Sequence, residues 1–145
     1  MKNTTLLKEN IHFSRIALGF WRLNEWKMNT GQTLELMEKA IELGITTFDH
    51  ADIYGGYTCE EMFGKALAEK PSLREKMEIV TKCGITLVSP RRPENRFHGY
   101  DTSKSHILKS VEASLKNLNT HYLDVLLIHR PDPLMNADEV AEAFA

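Results

Sequence analysis

Cysteine is scarce in this chain. Only Cys59 and Cys83 occur among 145 residues, and their spacing is not that of a metal site. Two thiols without a disulfide framework fit a reducing cytoplasm. Long apolar runs are missing, so no stretch approaches the length of a membrane span. The opening Met1–Lys2–Asn3–Thr4–Thr5 is not followed by the apolar core of a signal peptide. A charge surplus is missing too. Eighteen basic and twenty acidic residues leave a formal net charge of −2, which gives no electrostatic ground for binding nucleic acid or an acidic membrane surface. No Gly-x-Gly-x-x-Gly follows the first predicted strand, which weighs against a Rossmann dinucleotide fold. What remains is the composition of one globular domain, residues 1–145.

The chain is organised around residues 46–56, TTFDHADIYGG. A β-branched and aromatic run reads as a buried strand, and Gly55–Gly56 reads as a turn. Between them stand Asp49, His50, Asp52 and Tyr54. Polar groups where a buried strand stops need partners, and in strand–helix proteins that end of a strand is also where ligands bind. A capped strand end with ordinary hydrogen bonds is the plainer alternative.

The rest of the chain repeats strand, loop and helix. Residues 2–7 and 11–13 read as a hairpin turning at Glu9–Asn10, and residues 16–19 as the first good strand, delivering the aromatic pair Phe20 and Trp21. Trp21 and Trp26 can equally pack a loop. Thr30 or Thr33 can cap a helix that Gly44 stops. Thr58 can cap a second helix with Cys59, Phe63, Ala66 and Leu67 on one face, ending at Pro71, so Cys59 reads as a core thiol. Residues 77–81 form a third strand that delivers Lys82. Residues 83–101 read as a long loop made basic by Arg91, Arg92, Arg96 and His98, either solvated or in contact with substrate. A third helix follows, capped by Asp101, Thr102 or Ser103, with an inner stripe of Ile107, Val111, Ser114, Leu115 and Leu118. Residues 123–128, apolar apart from Asp124, read as a strand buried on both faces that delivers His129. A last helix starts near Asn136. This alternation implies a parallel α/β sheet.

Asp49, Tyr54, Lys82 and His129 therefore stand at successive strand ends. Their chemistry is complementary. A phenol is a poor acid near neutrality unless an ammonium nearby stabilises its phenolate. A carboxylate can hold that ammonium, and an imidazole can polarise a carbonyl oxygen beside the phenol. Such a set can protonate an alkoxide formed when hydride arrives at a carbonyl carbon. Each residue alone has a duller reading, Lys82 as an ion-pair partner and His129 as a satisfied buried histidine. His50 and Asp52 with His129 also have the composition of a two-histidine, one-carboxylate iron site.

On "FDHADIYGG", "EIVTKCG", "HYLDVLLIHRPDP" and "LGFWR", the sequence resembles the aldo-keto reductase superfamily, most closely its bacterial branch carrying "DHADIYGGY". The resemblance implies a (β/α)8 barrel of the TIM type, of which this chain holds the first four β/α units, ending inside the fourth helix. It implies reduction of aldehydes or ketones with NADPH. Tyr54 is then the general acid, Lys82 and His129 tune it, and Asp49 pairs with Lys82. Phe20, Trp21 and Asp49 are expected beside the cofactor, and Trp21, Tyr54 and His129 beside the substrate, a small-molecule carbonyl compound. No metal is implied. A whole barrel needs roughly 250 residues, so a half should expose two strand edges, and the chain is expected to be a fragment of a longer protein, to pair with a second half or to self-associate. A non-catalytic interaction module derived from the family is the remaining alternative.

Overall fold

A computed structural model describes residues 3–6 and 11–145. Strand β1 (Asn3–Leu6) pairs antiparallel with β2 (Ile11–Ser14), as expected for a hairpin; the expected turn at Glu9–Asn10 lies outside the described residues. The main sheet is built from β3 (Ala17–Gly19), β4 (Thr47–Asp49), β5 (Glu78–Cys83) and β8 (Val125–Ile128), in that order and all parallel. Helices α1 (Thr30–Glu42), α2 (Cys59–Glu69) and α3 (Lys104–Asn117) form the crossovers, and α4 (Ala137–Phe144) follows β8. Sequential parallel strands, each followed by a helix, are the first four units of a (β/α)8 barrel. Among the described residues no helix is long and apolar enough to cross a membrane.

The helix boundaries follow local chemistry. Asn29, rather than Thr30 or Thr33, caps α1. Its Oδ1 accepts from the Gln32 amide at 2.9 Å while Gln32 Oε1 accepts from the Asn29 amide at 3.0 Å, a reciprocal capping box. Thr58 occupies the cap position of α2 but spends its hydroxyl on the Gly55 carbonyl, at 2.8 Å. Ser103 caps α3 and is itself held by Asp101. The expected loop at residues 83–101 contains a small antiparallel ladder, β6 (Ile85–Thr86) with β7 (Gly99–Tyr100), too short to leave a periodic signal.

The core lies between the sheet and the helices. Phe20, Phe48 and Ile79 meet Met37, Phe63, Leu67 and Leu118, all fully or almost fully buried. Cys59 is in this core, as expected. On α3 the buried stripe is Ile107, Ser110, Ser114 and Leu118, with Val111 and Leu115 half-buried. The expectation that the last strand is buried on both faces is corrected. β8 bonds only to β5, its residues are half-buried at best, and Leu127 is 42% exposed. As an edge strand of an open sheet it lacks the neighbour that would cover it.

Arg74 ties the entry ends of β5 and β8 together. It is buried, and it donates to Asp124 Oδ2 at 2.6 Å, Thr120 Oγ1 at 2.9 Å, and the carbonyls of Met77 and Tyr122. Asp124 Oδ2 also accepts from the Ile79 amide at 2.8 Å, which explains the lone carboxylate in an apolar strand. Removing one partner of a buried pair strands the other. Arg74→Met is therefore expected to destabilise the fold by about 3–5 kcal/mol, read as a lower urea midpoint. A midpoint unchanged from the parent would show that the network contributes nothing net.

Candidate active site

The side-chain alternation of β4 sorts its residues. Phe48 and the following His50 point to the helices, and Asp49 points to the opposite, inner face. The sheet register continues past the strand, because the His50 amide donates to the Val80 carbonyl at 2.8 Å and the Asp52 amide to the Lys82 carbonyl at 3.0 Å. The chain then turns tightly. The Tyr54 amide donates to the Ala51 carbonyl, and Gly55, Gly56 and Tyr57 all take positive φ, at 60°, 63° and 72°. A side chain at Gly55 would meet Cys59 Sγ at 2.6 Å, so only glycine lets α2 begin this soon after Tyr54. The Leu87 amide donates to Tyr57 Oη at 2.8 Å, which braces the same turn from the neighbouring loop.

Lys82 is the centre of the site. Its Nζ donates to Asp49 Oδ1 at 2.7 Å, to the His50 carbonyl at 2.8 Å and to Tyr54 Oη at 3.1 Å. An ammonium has three protons, and here each has an acceptor. Tyr54 Oη in turn donates to Asp49 Oδ2 at 3.3 Å, closing a ring of carboxylate, ammonium and phenol. The Lys82 side chain is 14% exposed and that of Asp49 32%, so the pair is shielded but the site remains open. His129 follows β8 directly, with its amide on the Cys83 carbonyl at 2.8 Å. Its ring meets that of Tyr54 edge-on, with centroids 5.8 Å apart. Burial, with the Lys82 and Arg130 cations beside it, holds His129 below the usual imidazole range, so the ring is neutral at neutral pH. Its Nδ1 is buried with no hydrogen-bond partner among the described residues.

The structure thus brings Asp49, Tyr54, Lys82 and His129 together. Trp21 stands 62% exposed just beyond β3, with the Arg22 guanidinium 5.0 Å over its ring. Phe20 does not join the site. Its ring is fully buried against His50, Phe48 and Phe63. Leu18 packs on the same core, and period-two alternation from Leu18 was the signal that placed Phe20 there. The iron-site reading is corrected. His50 is fully buried, stacked on Phe20 with centroids 4.8 Å apart, and no group of three metal-binding side chains is assembled among the described residues. The basic loop is partly used internally. Arg91 pairs with Glu61 at 3.0 Å, and the Arg92 guanidinium lies 5.1 Å over Tyr57.

The sequence model of the Aldo/keto reductase family matches residues 15–145. The chain belongs to the aldo/keto reductase family. Its relatives agree. It is 64% identical over 138 residues to the uncharacterized oxidoreductase YcsN of Bacillus subtilis, covering 95% of this chain and 46% of that protein. It is 54% identical over 144 residues to the oxidoreductase YdhF of Escherichia coli, covering 99% of this chain and 48% of that protein. Its fold superposes on the holo form of an aldo-keto reductase from Bacillus halodurans with a TM-score of 0.81 and 29% identity, over 99% of this chain and 45% of that one. The chain therefore spans about half the length of the aldo/keto reductases it matches, as a half barrel.

Proposed function

We propose that this chain carries the catalytic half of an NADPH-dependent reductase that converts aldehydes or ketones to alcohols. The observation behind this reading is the placement of Lys82 Nζ between Asp49 and Tyr54, 2.7 Å from the carboxylate and 3.1 Å from the phenol. A positive charge fixed beside a phenolic oxygen favours loss of its proton. The neutral ring of His129, edge-on to that phenol, fits a site whose polar partner is a small carbonyl compound. Asp49 and Trp21, at the open ends of β4 and β3, would border a bound nicotinamide. The reduced nicotinamide supplies a hydride when bound.

The residues then divide the labour. Tyr54 Oη gives its proton to the oxygen that becomes the alcohol; to do so its O–H swings away from Asp49 Oδ2, a rotation about one bond. Lys82 stabilises the phenolate left behind, and Asp49 with the His50 carbonyl keeps the ammonium in place through that change. His129, neutral, orients the carbonyl oxygen against the phenol. The open edges of β3 and β8 are where the second half of a barrel would complete the sheet.

Lys82→Met tests this division in the closed barrel. Turnover is expected to fall by about 10²–10⁴-fold, the usual weight of acid–base assistance. NADPH affinity, followed by its fluorescence, is expected to stay within a few-fold. Retained turnover would mean that the phenol does not depend on the ammonium.

A further inference from the structure

Behind the site, on the helix side of the sheet, lies a second group of carboxyls that the chemistry above does not use. Asp52 is 8% exposed and Glu60 2%. Glu60 Oε1 accepts from Thr81 Oγ1 at 2.7 Å, but its Oε2 is buried without a partner among the described residues, and so is Asp52 Oδ1. Two buried carboxyls with orphaned oxygens on one side of a sheet cannot both be comfortable as anions. Asp52 also lies in the backbone that shapes the active site. Its amide bonds to the carbonyl of Lys82, and Tyr54 is two residues further on.

We propose that Asp52 is a positioning residue for Tyr54 and Lys82, and that it fills this role as a buried, neutral carboxyl on the same side of the sheet as Glu60. As an acid, Asp52 can stay in its dry pocket and keep the 52–57 turn seated on β5. As an anion it faces Glu60 and draws water, and the turn that bears Tyr54 shifts with it.

The surrounding groups have the sign this requires. Burial first, then the Glu60 carboxylate, push Asp52 up to about 7. Burial also raises Glu60. From β5 the group is faced by Cys83, whose thiol is pushed up to about 12 by burial and by Asp52 and Glu60. From the turn it is faced by Tyr57 and from α3 by Ser110, which has His106 Nε2 at 3.4 Å. The cation acting on both carboxyls is Arg92, held over the Tyr57 ring 5.1 Å away. Its attraction is outweighed by burial at both sites.

The linkage runs in one direction. A carboxyl raised in the folded state keeps its proton between its unfolded value of about 4 and its folded value, while the unfolded chain has lost it. Stability contributed by Asp52 therefore falls as pH rises through that window and levels off above about 7.

Asp52→Asn mimics the neutral acid and tests the proposal in the 145-residue chain. Parent and variant are expected to melt together near pH 4. The variant should then gain about 3–5 °C over the parent for each pH unit up to 7, and hold a constant lead above it. In the folded parent, the ring signals of Tyr54, assigned with Tyr54→Phe, should move with a midpoint near 7, and this movement should vanish in Asp52→Asn. Glu60→Gln is expected to keep the movement and shift its midpoint to lower pH, so a poorly folding Asp52 variant does not end the test. Tyr54 signals that stay fixed from pH 5 to 8, or that titrate identically in all three proteins, would overturn the proposal. The proposal takes its functional meaning from Tyr54 as proton donor, but both readouts are free of turnover, so an idle site and a wrong assignment of Asp52 give different results.

Discussion

Tyr54→Phe should lower carbonyl reduction by about 10²–10⁴-fold while NADPH binding stays nearly intact. The substitution removes one oxygen. That oxygen is the one 3.1 Å from Lys82 Nζ, on a ring that meets His129 edge-on. The ring itself stays, and with it the packing of Tyr54 on the core and the cation lying 5.0 Å from its centroid. Lys82 keeps Asp49 and the His50 carbonyl, so the ammonium should not wander. The loss should therefore fall on turnover, with little change in melting temperature. Steady-state kinetics with a simple aromatic aldehyde, next to a fluorescence titration of NADPH, separates the two effects. Turnover within a few-fold of the parent would remove Tyr54 from the role of proton donor.

Gly64→Ala should be the most crowded glycine-to-alanine change among the described residues, and strongly destabilising. Gly64 sits inside α2, where alanine is ordinarily the better helix former by roughly 1 kcal/mol. Here the sign reverses. An added Cβ would lie 1.9 Å from the Asn117 carbonyl oxygen and 2.8 Å from the Leu118 carbonyl carbon. These are backbone atoms at the end of α3 and cannot swing aside as a side-chain tip would. The two helices have to separate, and Leu118, fully buried, has to leave its contacts. Overpacking of this kind costs about 3 kcal/mol, more than the propensity returns. Urea unfolding should show the midpoint falling with the slope unchanged. A variant as stable as the parent would mean that α2 and α3 are not pressed together at Gly64.

Much of this could be read directly from the residues. The helices announced themselves through 3.6-residue periodicity, and the inner strands through short β-branched runs. Asp49, Tyr54, Lys82 and His129 were legible because each falls where a strand ends and a parallel sheet aligns those ends. What escaped was decided by tertiary contact. Arg74 looks like any surface arginine beside Pro71, and only the fold brings Asp124 and Thr120 to it. The exposure of β8 depends on its having one neighbour instead of two, which its own residues do not encode. His50 and Asp52 with His129 have the composition of an iron site, and composition does not say which face a side chain takes. Alternation with Phe48 turns His50 into the aromatic core instead, where burial and the Lys82 cation push it down to about 3 and keep it neutral. Phe20 is turned into that core by the same alternation. An aromatic pair at a strand end splits, one ring inward and one outward, and Trp21 is the outward one.

The most direct test joins residues 1–145 to the remaining half of the Escherichia coli relative and follows NADPH oxidation with an aromatic aldehyde. The expected result is turnover by the closed barrel that disappears in Tyr54→Phe and in Lys82→Met while both variants still bind NADPH. A folded, NADPH-binding barrel whose turnover survives both substitutions would contradict the assignment of the proton-donating site to Asp49, Tyr54, Lys82 and His129.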